Sequence, residues 1–126
     1  MSPAERDRLL RAFLAAAERG DLEGLQSLLA EQAVAYSDGG GVATAARKPV
    51  RGRDRVAQYL VRAVGIHGQQ ADTSVVTANG QHVVLVSRDG EPLAACWVDA
   101  SPRGIDQVFF VVNPAKLARL AAAVAG

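Results

Sequence analysis

Three turn signals punctuate the second half of the chain, and they leave little freedom in how that half can fold. Asn79-Gly80, Asp89-Gly90 within Arg88-Asp89-Gly90-Glu91, and Ser101-Pro102-Arg103-Gly104 fall between runs rich in Val, Leu, Ile and Phe. Asn-Gly and Asp-Gly supply the positive φ that a two-residue hairpin turn requires. The spacing predicts strands over residues 74–78, 81–87, 93–100 and 105–112, joined as consecutive hairpins into an antiparallel meander. Residues 83–86 and 108–112 are apolar on both faces, so at least part of the sheet is expected to be covered on both sides.

The first half follows a different period. Leu9, Leu10, Phe13, Leu14 and Ala17 share one helical face and Gly20 supplies a stop, which predicts a helix over residues 3–19. Asp21 is placed to cap a second helix with the stripe Leu22, Leu25, Leu28 and Leu29, so the two form a helical hairpin. Residues 33–37 read as a strand that ends at Asp38-Gly39-Gly40-Gly41, and residues 42–48 as a second short strand. After Pro49 and Gly52, Asp54 is read as the cap of a third helix with Val56, Tyr59, Leu60, Ala63 and Val64 on its inner face, ending at Gly65; residues 66–72 read as a loop.

A chain of 126 residues with 49% hydrophobic content suits one α+β domain over residues 1–126. A net charge of +1 with interleaved signs gives no basic stripe for a phosphate backbone, so direct nucleic-acid binding is not expected. The single cysteine, Cys96, lies between Ala95 and Trp97 in a strand-like run and reads as a small buried hydrophobe. No secretory signal pattern and no apolar run of about 20 residues is present, which makes the cytoplasm the expected compartment and a membrane partner unexpected.

Two short motifs are left over. Three glycines after a strand expose backbone amides that can donate to a docked segment, and Asp38 can accept from a basic group. The same glycines would also serve a bulge that lets the sheet curve. In Asn113-Pro114-Ala115-Lys116-Leu117, Asn caps a final helix and Pro fixes φ at its first position. Lys116 in the first turn opposes the helix dipole, which a partner carboxylate would offset.

The order of helices and strands resembles the cone-shaped fold of the nuclear-transport-factor-like (cystatin-like) superfamily, which includes SnoaL-like polyketide cyclases and ketosteroid isomerases. That resemblance implies a curved antiparallel sheet wrapped around N-terminal helices, and a homodimer through the open sheet face. Residues 13–41, FLAAAERGDLEGLQSLLAEQAVAYSDGGG, resemble the start of the SnoaL-like carboxy-terminal domain of a group of extracytoplasmic-function RNA polymerase sigma factors. Those proteins carry a DGGG motif followed by a basic residue, and an NPxKL motif near the end. Here Asp38-Gly39-Gly40-Gly41 and Asn113-Pro114-Ala115-Lys116-Leu117 match, Gly52-Arg53-Asp54-Arg55-Val56 fits the stretch before the third helix, and Val42 stands where the basic residue is usual. The resemblance implies a non-catalytic regulatory domain of an alternative sigma factor that modulates transcription initiation by docking in cis on the sigma regions of its parent chain and on RNA polymerase. Its implied interface is Asp38, Gly39, Gly40, Gly41, Asn113, Pro114, Lys116 and Leu117. No helix-turn-helix pattern appears among the 126 residues, so they read as the regulatory domain without its sigma regions.

The alternative is a small-molecule binder, or an isomerase- or cyclase-like enzyme, using the cone pocket. Tyr36, Trp97 and Phe109 are candidates to line such a pocket around an apolar ligand. Alternation puts Leu93, Ala95, Trp97 and Asp99 on one strand face, and Ile105, Gln107, Phe109 and Val111 on one face of the next. Asp99 facing inward would be a candidate base, whereas a place at the strand end would leave it in water. His82, beside a hairpin turn, reads as a solvated strand residue, and His67 has no visible partner. No nucleophilic triad order, zinc spacing or phosphate loop is present, so no catalytic residue, metal or cofactor is assigned.

Overall fold

The structure, a computed structural model, describes residues 2–38, 48–67, 72–78, 80–112 and 118. Helix α1 (Pro3–Arg19) starts where Ser2 accepts a hydrogen bond from the Glu5 amide and Pro3 takes the first helical position. It ends at Gly20, whose φ of 65° is left-handed and whose amide bonds back to the helix. Asp21 then caps α2 (Leu22–Leu28) by accepting from the Gly24 amide at 2.9 Å. Leu29 turns extended and opens strand β1 (Leu29–Asp38) without a loop.

The remaining elements are β2 (Val50–Arg51), α3 (Arg53–His67), β3 (Asp72–Ala78), β4 (Gln81–Arg88), β5 (Glu91–Ser101) and β6 (Gly104–Val111). Asp54 is not the cap of α3. The Val56 amide bonds to the Gly52 carbonyl, so Gly52 precedes the first turn and Asp54 lies within it, accepting from Gln26 Nε2 at 3.2 Å. Residues 66 and 67, read as loop, still belong to the helix. The expected strand over 42–48 lies outside the described residues, apart from Lys48 at a bend.

One sheet has the order β2-β1-β6-β5-β4-β3. Asp89 and Gly90, with φ of 53° and 81°, make the primed turn that the Asp-Gly pair predicts between β4 and β5. The meander from β3 to β6 is antiparallel as read, but the sheet is not antiparallel throughout: β1 pairs in parallel with β6, with Tyr36 opposite Phe109 and Asp38 opposite Val111. A parallel pair between distant segments needs a long crossover and leaves no local turn signal.

The three helices share one core with the inner sheet face. Leu10, Phe13, Ala16 and Ala17 of α1, Leu25 of α2, and Val56, Ala57, Leu60 and Ala63 of α3 pack with Ala33, Ala35, Ala94, Cys96, Val98, Val108 and Phe110. The alanines on the strands let the helices approach closely. Ile105 also joins this core, although simple alternation would group it with Gln107, Phe109 and Val111. A β-bulge explains the correction: Asp99 pairs with Gln107 but Ala100 pairs with Ile105, so Asp106 is an extra residue and the face switches. A second buried cluster, Ala78, Val83, Ala95 and Val111 with Val76, Leu85 and Trp97, lies on the opposite face. Both faces therefore carry buried apolar residues, as the doubly apolar strands predict.

Candidate functional site

The strands that lead to the two leftover motifs, β1 and β6, finish at the same end of the sheet. Asp38 closes β1 and Val111 closes β6, and because these neighbours run parallel their last residues stand side by side in register. Adjacent strands are about 4.8 Å apart, so the chain departs toward Gly39 and toward Asn113 from almost the same place. Gly39, Gly40, Gly41, Asn113, Pro114, Lys116 and Leu117 themselves lie outside the described residues, as does the side chain of Asp38. Just before them, the Ser37 hydroxyl is buried without a hydrogen-bond partner, on the inner face beside Phe110.

In the stretch Gly52-Arg53-Asp54-Arg55-Val56, two residues have structural duties. Gly52 has φ of 98° and donates its amide to the Ala33 carbonyl at 2.8 Å. Arg53 Nε donates to the Leu29 carbonyl at 3.0 Å, tying α3 to the α2–β1 junction.

Tyr36, Phe109 and Trp97 occupy three adjacent strands in register and stack as one ladder. The Tyr36–Phe109 and Phe109–Trp97 centroids are each 5.4 Å apart, with ring planes 13° and 15° from parallel. Stacked pairs of this kind add about 0.5–1.5 kcal/mol each beyond area burial. The ladder lies on the face opposite the three described helices, because Ala35, Cys96, Val98, Val108 and Phe110, which alternate with the rings, take the inner face. None of the three rings lines the cleft beside α1.

That cleft lies between the start of α1, the start of β4 and the middle of β5. Pro3, Arg6, Asp7, Leu10, Gly80, Gln81, His82 and Val98 enclose about 140 Å³. Leu10 and Val98, each 2% exposed, form its floor. Asp7 anchors the rim, with Oδ1 2.6 Å from His82 Nδ1 and Oδ2 accepting from Arg11 Nε at 3.0 Å. The Arg11 bond and then the His82 bond hold the Asp7 carboxyl below its ordinary value of 3.8. His82 is half-exposed, as a solvated strand residue should be, yet it is also paired. That pairing is invisible in sequence because Asp7 stands 75 residues away.

The other candidate groups are dispersed. Asp99 is exposed near the end of β5, level with Gln107 on the outer face, so it is not an inward base. Cys96 is buried and its thiol is pushed up to about 12 by loss of solvent, so it stays protonated and serves as packing. The side chain of His67 lies outside the described residues. Among the described residues, no three His, Cys, Asp or Glu side chains are grouped to hold a metal ion, and no helix is long and apolar enough to cross a membrane.

This geometry has known counterparts. The extracytoplasmic function sigma factor SigJ of Mycobacterium tuberculosis superposes with a TM-score of 0.70 at 22% identity, over 90% of this chain and 44% of SigJ. This chain thus spans less than half of that protein. An NTF2-like protein of Burkholderia xenovorans matches at 0.59 and 20% identity over 95% of this chain and 98% of its own. A putative isomerase of Bacillus subtilis matches at 0.55 and 16% identity over 98% and 97%. At such identities the likeness establishes the α+β cystatin-like and NTF2-like fold, shared by proteins with different roles. No curated protein sequence matches the chain. The SnoaL-like domain family matches residues 10–112, from the middle of α1 to the end of β6, and the chain belongs to that family.

Proposed function

We propose that this chain is a non-catalytic regulatory domain of an alternative sigma factor, docking intramolecularly on the sigma regions and RNA polymerase through the DGGG and NPAKL motifs. The observation that supports the reading is the parallel register of Asp38 and Val111, which brings the strand ends that lead to the two motifs side by side. Two segments 75 positions apart in sequence can then contribute to one surface. The likeness to SigJ supports it, since the shared fold there occupies less than half of a longer sigma factor.

The cytoplasm would be the working compartment, and promoter DNA would be met by the sigma regions and not by this domain. An isomerase-like reading needs a carboxylate buried in a pocket, and none of the described polar or charged residues is fully buried. Asp7, the carboxylate at the cleft, has both oxygens engaged and a lowered pKa, which makes it a weak base.

The test is an NMR titration of this domain with the two sigma regions of its parent chain. Saturable shifts at residues 38–41 and at Lys116, lost in Lys116→Glu, support docking. Unchanged spectra at saturating sigma fragment, or a parent gene without sigma regions, would sink it.

A further inference from the structure

The cleft beside α1 has a feature that the regulatory reading does not use. Its floor is apolar, from Leu10 and Val98, while its rim carries the Arg6 guanidinium. The lining carries one guanidinium, Arg6, and one carboxylate, Asp7, whose charge is already engaged by Arg11 from outside the lining. Both oxygens of Asp7 are occupied, by Arg11 and by His82, whereas the Arg6 guanidinium makes no ion pair among the described residues. An unpaired cation above an apolar floor favours a ligand with one negative charge and a compact apolar body. A cavity of about 140 Å³ is close to the roughly 150 Å³ of an apolar cavity that accepts benzene.

We propose that this cleft binds a small organic monocarboxylate of about the size of benzoate, its apolar body on Leu10 and Val98 and its carboxylate facing Arg6. A ligand there would touch α1 through Arg6 and Leu10, β5 through Val98, and the β3–β4 hairpin through Gly80, Gln81 and His82, and so would clasp the helix to the sheet. The site does not depend on the sigma-factor reading and stands or falls separately from it.

The experiment is an NMR titration of the whole chain with sodium benzoate, and in parallel with benzamide, which has the same ring and no charge. Benzoate is expected to shift the amides of Gly80, Gln81 and His82 saturably and to raise the melting temperature. Benzamide should bind roughly tenfold more weakly, and Arg6→Gln should weaken benzoate by a similar factor. Arg6 is exposed, so its replacement leaves the core intact, and the spectrum of the free variant verifies this. Equal affinity for benzoate and benzamide, unaltered benzoate binding in Arg6→Gln, or no saturation at the hairpin amides would each overturn the proposal.

Discussion

Asp7 is the residue whose environment departs most from what its neighbours in sequence suggest. On α1 it faces Arg11 one turn on, which spacing alone foretells, and His82 across the cleft, which spacing cannot. Its carboxyl is held below 3.8, chiefly by the Arg11 bond and next by His82. The folded state therefore binds that proton less readily than the unfolded state. The stabilisation is present above the unfolded value and fades as pH falls through the lower folded one. Asp7→Asn is expected to flatten the acid limb of a stability profile measured by urea unfolding between about pH 6 and about pH 2.5. A residual limb should remain, because Asp21 is lowered too, first by the Gly24 amide and then by Arg19. If the variant's profile overlays the wild type, the Asp7 contacts contribute nothing to stability. At this scale the stop at Gly20 and the cap at Asp21 were legible because they act within three or four positions; Ser2 was not read as a cap, Asp54 was misassigned as one, and His82 and Asp7 meet only through the fold.

Among the elements, the junction of α2, β1 and β6 carries the strictest steric demand. Gly104 opens β6 with φ of 118°, and a Cβ built there would lie 2.8 Å from the Leu28 carbonyl and 3.3 Å from the Ala30 amide. Both obstacles are backbone, and Leu29 beside them is 1% exposed, so neither can yield cheaply. Gly104→Ala is expected to cost about 2–4 kcal/mol, seen as a lower urea midpoint with an unchanged slope. An Ala variant within about half a kcal/mol of wild type would show that the junction relaxes freely. Sequence reading assigned this glycine to a turn and missed its second task, holding β6 against the start of β1 where Leu29 faces Ile105. The two-residue β2 and the bulge at Asp106 escaped for related reasons. One is shorter than any periodicity can register, and the other is visible only once the partner strand is known.

For the molecule as a whole, stability is expected to be concentrated in the centre of the sheet. β6 is flanked by β1 and β5, and β5 by β6 and β4, and the inner face of this centre lies under the helices. Among the described residues β3 and β2 are the edges: β3 has a described partner on one side alone, and its residues 72–74 are exposed. The meander was readable because each hairpin is encoded locally, while the cone was reached through the family resemblance. The site was less so, because the aromatic ladder, the cleft and the adjacent ends of β1 and β6 all depend on which distant strands become neighbours. That neighbourhood is itself testable. Edge amides open by local fluctuations, whereas central ones need a larger unit to unfold. Native-state hydrogen exchange should therefore be slowest at the hydrogen-bonded amides of β5 and β6 around Trp97, Val98, Val108 and Phe109. It should be faster by orders of magnitude around Thr73 and Ser74 of β3. The end of β1 near Tyr36 is the decisive position. Protection there comparable to β6 would mean that the strand carrying Asp38 is locked beside the one leading to Asn113, which gives the two motifs a rigid common base. Exchange as fast as in β3 would mean that β1 and β6 separate readily, and a composite surface built on their ends would then lack a fixed foundation.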